Sequence, residues 1–179
     1  MSKSIAKIKN MINKLIEKLK KVKDQREEQG KRHKLWIVLI VIIFAIMCGN
    51  QGYRAIEDFG KFNQRKLTKL LKIDSKELPS YSTIRRVMMK LEWTDLLTIF
   101  NEWGEELKGD NNLDEEWVAL DGKGLRNTVV DYDNSKQNFV TFVSMFSQDT
   151  SIVYNIKVFE RKKGSEIEQV RNIVDNENI

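Results

Sequence analysis

Apolar positions along the chain change period three times, and each change marks a different kind of element. From Ile5 the residues Ile5, Ile8, Met11, Ile12, Leu15, Ile16 and Leu19 recur at steps of three and four, which predicts an amphipathic helix with one apolar stripe and lysines around the rest. Leu35 to Cys48 is then apolar without interruption. Its fourteen residues would extend about 21 Å as a helix, short of a hydrocarbon core of about 30 Å, so the run reads as a buried helix. A signal peptide is a poor fit, because the basic region ahead is too long and Gly49-Asn50-Gln51-Gly52 offers no small-x-small cleavage pattern.

The helical period continues through Tyr53, Ile56 and Phe59 and through Leu67, Leu70 and Leu71. After the break at Leu78-Pro79-Ser80 it resumes, with Ser80 or Ser82 as cap, Ile84, Val87, Met88 and Leu91 inward, and Arg85, Arg86 and Lys90 outward. A further helix opens near Thr94-Asp95 and turns Leu96, Leu97, Phe100, Trp103 and Leu107 inward. The tryptophans and methionines here read as core packing. Beyond the polar stretch 108–112 the period becomes extended: Trp117 to Leu120, Phe139 to Phe146 and Ile152 to Phe159 read as strands. Glu166 to Val174 is helical again, with Ser165 as its expected N-cap. The fold class expected is therefore α+β, with helices first and then three antiparallel strands and one helix, a sheet that needs further cover.

Composition narrows the function classes. One Cys in 179 residues excludes a disulfide framework or a four-Cys zinc site, and a reducing cytoplasm is the expected compartment. The net charge is +5, but residues 1–34 alone hold twelve Lys or Arg against four acids, net +8, leaving −3 for the remainder. A basic amphipathic arm can dock on its own protein, or bind nucleic acid, anionic lipid or a partner helix. His33, the one histidine, has no metal or triad partner in the pattern and reads as a solvated residue, while Cys48 reads as a core thiol. No phosphate loop, dinucleotide fingerprint or His-Glu-x-x-His pattern occurs. Among the acids, Asp121 follows a strand and precedes Gly122. By itself Asp-Gly there is a hairpin turn; the alternative is a carboxylate offered to a hard divalent cation, typically Mg²⁺.

Four blocks carry a resemblance: Lys34-Leu35-Trp36 through Cys48-Gly49; Tyr53-Arg54-Ala55-Ile56-Glu57-Asp58-Phe59-Gly60; Pro79 through Val87; and Ala119-Leu120-Asp121-Gly122-Lys123-Gly124-Leu125-Arg126. In order and spacing the sequence resembles the N-terminal part of bacterial DDE transposases of the ISAs type, the group that includes the H-repeat-associated proteins. The resemblance implies an all-helical associated domain, here residues 35–108 behind a basic arm at 1–34, and a ribonuclease-H-like catalytic domain beginning in 113–179. It implies Asp121 as the first catalytic carboxylate and Glu166, at the start of the last helix, as a supporting metal ligand. Mg²⁺ is the implied cofactor and the DNA of insertion-sequence ends the implied partner, with self-association left open. Lys123 and Arg126 would lie near the scissile phosphate, and Arg85 and Arg86 would contact DNA. Gly124 and Asn127 depart from the family's usual Thr and Gly. Two-metal phosphodiester chemistry needs several carboxylates, and residues up to 179 lack the strand expected to bring the second Asp and the segment with the final Glu. The expectation is an N-terminal portion, from a truncated or frameshifted copy, that binds DNA without cutting it alone, so whether it is an enzyme is left open. The alternative is a membrane-associated helical protein using residues 35–48 and the basic arm.

Overall fold

A computed structural model of the chain describes residues 3–73, 78–108, 117–125, 128, 139–148, 150–160 and 166–177. The chain divides into two compact units, Met1–Ile99 and Phe100–Ile179.

The first unit is helical: α1 (Lys3–Leu19), α2 (Leu35–Met47), α3 (Tyr53–Phe62), α4 (Gln64–Leu71), α5 (Tyr81–Lys90) and the opening of α6 (Trp93–Lys108). At its centre lies α2, which packs on α1, α3 and α5. A helix that is apolar on every side must be covered on every side, and Leu35, Ile37–Ile42 and Ala45 are all buried. Thirteen residues span only about 20 Å, and no helix among the described residues is long and apolar enough to cross a membrane. The stop is encoded locally. Gly49 takes φ +80°, Asn50 N–H donates to the Ala45 carbonyl at 2.9 Å and Gly49 N–H to that of Ile46 at 2.9 Å, a Schellman ending that a side chain at the positive-φ position would strain. Lys72 closes α4 in the same left-handed conformation, φ 51°, with Ile73 N–H donating to the Thr68 carbonyl at 3.1 Å.

Several local expectations change in this unit. The apolar stripe of α1 is buried only in its second half, at Leu15, Ile16 and Leu19, while Ile8 is 52% exposed. His33 is buried, not solvated. The reason is Arg26: its guanidinium chelates Asp24 at 2.8 and 2.7 Å and also donates to the carbonyls of Gly30 at 3.0 Å and His33 at 2.8 Å, folding the basic connection back on itself. That pairing holds the Asp24 carboxyl below its ordinary range. Cys48 is exposed, because it follows the last helical residue of α2. Of the tryptophans and methionines expected in the core of the helical stretch, Met88, Met89 and Trp93 are exposed and Trp103 is half-buried. Ser80 does occupy the N-cap position of α5, yet its hydroxyl meets those of Ser82 and Thr83 and caps no backbone amide. The anion at that helix end is Glu57 of α3, which accepts the Tyr81 N–H; this bond, and then the Lys61 ammonium at 3.2 Å, holds the Glu57 carboxyl below the usual range.

The second unit is built on an antiparallel sheet in the order β1 (Val118–Gly124), β2 (Val140–Ser147), β3 (Ile152–Glu160), followed by α7 (Glu166–Glu177). Ser165, the expected cap of α7, lies outside the described residues. Alternation along β2 buries Thr141, Val143, Met145 and Ser147 on one face. Val143, Met145 and Tyr154 form the core there, and Val118, Leu120, Ile152, Phe159 and Val170 of α7 pack against it. Helix α6 reaches the free edge of β3 through Asn101, whose side-chain amide donates to the Ile156 carbonyl at 2.9 Å while its oxygen accepts the Ile156 N–H at 2.8 Å. One amide thus satisfies both backbone groups that an edge strand leaves open. Gly104, one turn on, makes the approach feasible: a Cβ there would lie 2.6 Å from Tyr154 Cα and 2.8 Å from its carbonyl oxygen.

Two predictions follow from these contacts. Gly104→Ala adds helix propensity but drives a methyl into the β3 backbone, so denaturant unfolding is expected to show a net loss of about 1–3 kcal/mol; an unchanged midpoint would refute this packing. Glu57 has its carboxyl pKa lowered on folding from an ordinary 4.5. Its contribution is therefore complete above that value and fades as pH falls through the depressed one. Glu57→Gln is expected to cost roughly 0.3–1 kcal/mol at neutral pH, and the gap to the unmodified protein should close in strong acid when melts are compared across pH.

Candidate catalytic strand and nucleic-acid interface

The sequence Ala119-Leu120-Asp121-Gly122-Lys123-Gly124 is a poor strand by local preference, since Asp and Gly are both depleted in strands. It is nonetheless extended throughout. β1 runs past Asp121 to Gly124, with Asp121 opposite Ser144, Gly122 opposite Val143, Lys123 opposite Phe142 and Gly124 opposite Thr141. Asp121-Gly122 is thus no hairpin turn: pairing with β2 overrides the local signal. At Gly124 a Cβ would fall 2.7 Å from the Phe139 ring, so a larger residue there would require that ring to move.

Burial divides the strand in two. Val118, Ala119 and Leu120 are half-buried, and Asp121 through Gly124 are exposed. Alternation sets Asp121 and Lys123 on one face, opposite the face where Leu120 meets the Val143–Met145 core. The strand therefore carries a carboxylate and an ammonium side by side, two residues apart, into solvent. Glu166 is the first residue of α7; its side chain lies outside the described residues, and Val170, one turn later, packs on the Leu120 face. Arg126 also lies outside the described residues. Among the described residues no group of three His, Cys, Asp or Glu comes together to hold a metal ion. A hard cation such as Mg²⁺ takes about six oxygen ligands, so the described residues supply one candidate ligand, Asp121, and not a metal site.

In the helical unit Arg85 and Arg86 are both exposed on α5. The Arg86 Nε donates to the Ser82 carbonyl at 3.1 Å, and Arg86 and Lys90, one turn apart, line a shallow cavity of about 320 Å³ with Arg26, Glu27, Gly30 and Thr83. Arg85 is not among its lining residues. Near the start of the same helix the Arg54 guanidinium lies 5.7 Å from the centre of the Tyr81 ring. A larger basic groove, along α1 and the ends of α2 and α4, was legible in the sequence only as the charge of the arm as a whole.

The helical unit carries exposed arginines on α5, and the sheet unit carries an exposed carboxylate on its first strand. The DDE_Tnp_1-associated family matches residues 16–104. The chain is 30% identical over 149 residues to the "Putative transposase YncI" of Escherichia coli O157:H7 and likewise to that of strain K12; the match covers 82% of this chain and 36% and 57% of those proteins. It is 27% identical over 165 residues to the "H repeat-associated putative transposase YhhI" of strain K12, covering 92% of this chain and 42% of that one. The chain thus spans less than two thirds of the length of these relatives. No solved structure matches it. The family match and the transposase-named relatives support an N-terminal part of the H-repeat-associated transposase family.

Asp121 disfavours the strand it occupies and makes no packing contribution. Replacing it with a better strand former, Asp121→Thr, is expected to raise unfolding stability by a few tenths to about 1 kcal/mol. A loss of more than about 1 kcal/mol would mean that the carboxylate serves the fold instead.

Proposed function

We propose that this chain supplies the DNA-binding helical domain and the first catalytic strands of a DDE transposase, a cytoplasmic protein acting on the ends of an insertion sequence. The observation that carries the reading is Asp121: an exposed carboxylate in mid-strand, followed by Gly122 and Gly124, at a position where neither local preference nor packing favours it. A fold violates its own local rules mostly at functional sites. In the whole protein the sheet would be the opening of a ribonuclease-H-like domain, Asp121 the first carboxylate of the catalytic set and Glu166 a supporting ligand at the head of α7. Mg²⁺ bound by the complete carboxylate set would polarise a phosphodiester for cleavage and strand transfer. Among the described residues no group of three or more potential metal ligands forms, and the role assigned to this chain by itself is DNA binding.

Arg85 and Arg86 on α5 are assigned to DNA phosphates or base edges, and Lys123 and Arg126 to the backbone near the reacting phosphate. The membrane alternative gains little from α2, which packs on α1, α3 and α5 and whose thirteen residues are too short to cross a bilayer. Fluorescence anisotropy with a labelled duplex tests the reading. Affinity should fall steeply between about 50 and 200 mM salt, and the double variant Arg85→Gln/Arg86→Gln should bind more weakly. A flat salt response, or no binding at low salt, would overturn it.

A further inference from the structure

The groove along α1 and the ends of α2 and α4 is lined by Lys9, Lys20, Arg32, Lys34 and Lys72, with Trp36 among its walls. It encloses about 650 Å³. These five cations come from α1, from the connection into α2 and from the end of α4, distant in sequence yet converging on one concave surface. Glu17 is the acid in the lining, and Lys20 already pairs with it at 2.7 Å while standing 5.5 Å over the Trp36 ring. The groove is therefore strongly positive, and its floor is firm, since Ile16, Ile37 and Leu71 are buried in the helical core beneath it.

Two of these lysines occupy positions where the fold would be better served by another residue. Lys34 is the N-cap of α2, with φ −57° and ψ 140°, no side-chain cap bond, and no acid in the first turn that follows. A helix start favours Ser, Thr, Asp or Asn there and disfavours a cation. Lys72 ends α4 at φ 51°, a conformation that favours glycine. Its charge does suit a helix C-terminus, but its backbone does not suit a lysine. Both side chains are exposed and face the same groove. Positions that lose stability locally, and that share one surface, are the pattern of a binding site.

We propose that this groove binds the phosphate backbone of DNA, with Lys9, Lys20, Arg32, Lys34 and Lys72 as its phosphate contacts. The inference rests on the reading of the chain as a DNA-binding transposase part, and adds a surface separate from Arg85 and Arg86. A polyanionic strand fits the feature better than a lipid surface does, because the cations line a concavity, whereas an amphipathic helix on a membrane presents a convex apolar face edged by aromatics.

The test uses the full chain and the variants Lys34→Ser and Lys72→Gly, singly and together. Thermal melts are expected to rise for Lys34→Ser by roughly 2–4 °C, from the N-cap it creates, and not to fall for Lys72→Gly. In anisotropy titrations with a duplex of about 20 base pairs, the double variant should bind roughly tenfold more weakly or worse at about 0.1 M salt, and the slope of log affinity against log salt should shrink by about two, whatever the sequence of the duplex. A protein that melts higher yet binds DNA less separates a binding role from a structural one. Unchanged affinity and slope in the double variant, with the unmodified protein still binding, would overturn the groove while leaving the DNA-binding reading standing. No DNA binding by the unmodified protein, with or without binding to phosphatidylserine-containing vesicles, would overturn both.

Discussion

The helical unit depends on covering α2. A helix carrying no polar residue from Leu35 to Met47 must be covered along most of its length, and only Ile46 and Met47 at its end are exposed; each fully buried Val, Leu or Ile contributes about 1.5–3 kcal/mol relative to exposure. That requirement places the other helices. Leu15 and Leu19 of α1, Ile56 of α3, and Ile84 and Val87 of α5 are the buried side chains of the helices packed on it. The polar details then act as fasteners: Arg26 ties down the connection from α1 to α2, and Glu57 of α3 holds the start of α5. Because the basic connection is folded by Arg26, its lysines and arginines are presented from fixed backbone and not from a loose tail.

The sheet unit meets a different constraint, the unpaired edge. β3 would leave the backbone groups of Ile156 open, and Asn101 of α6 closes them with a single amide. Close approach of that helix is possible because Gly104 has no Cβ to strike Tyr154. On the other side of the sheet, β1 is held by β2 despite its Asp and glycines. Hence the carboxylate rests on a strand whose geometry is set by its neighbour and not by its own preference. The two units illustrate one economy of design: the apolar and backbone demands are met by residues such as Leu39, Val143 and Asn101, leaving Asp121, Arg86 and Lys34 exposed to interact with something else.

Much of this was legible from the chain. The fourteen-residue apolar run specified a buried helix, because its length fails to span a bilayer and its composition fails to tolerate water. The change from a three-to-four period to alternation located β2 and β3 within one residue, since strand alternation along β2 is what separates Val143 and Met145 from Phe142 and Ser144, but it ended β1 four residues early, at Leu120 instead of Gly124. The block around Asp121 identified the candidate carboxylate. Where local signals were read alone they misled: Asp121-Gly122 spelled a turn, Ser80 a side-chain cap, His33 a solvated residue and Cys48 a core thiol.

Sequence by itself determined most of the elements, the burial of α2, the charge asymmetry and the family resemblance, because these follow from periodicity, composition and the order of four motif blocks along one chain. Tertiary structure decided the rest. Only register with Ser144 and Val143 makes Asp121 a mid-strand residue, only packing brings Asn101 to Ile156 across 55 positions of sequence, and only the fold gathers Lys9, Arg32, Lys34 and Lys72 onto one groove. Each of these is a non-local contact, and non-local contacts are chosen by the burial of the whole unit, a quantity that no short window of sequence contains.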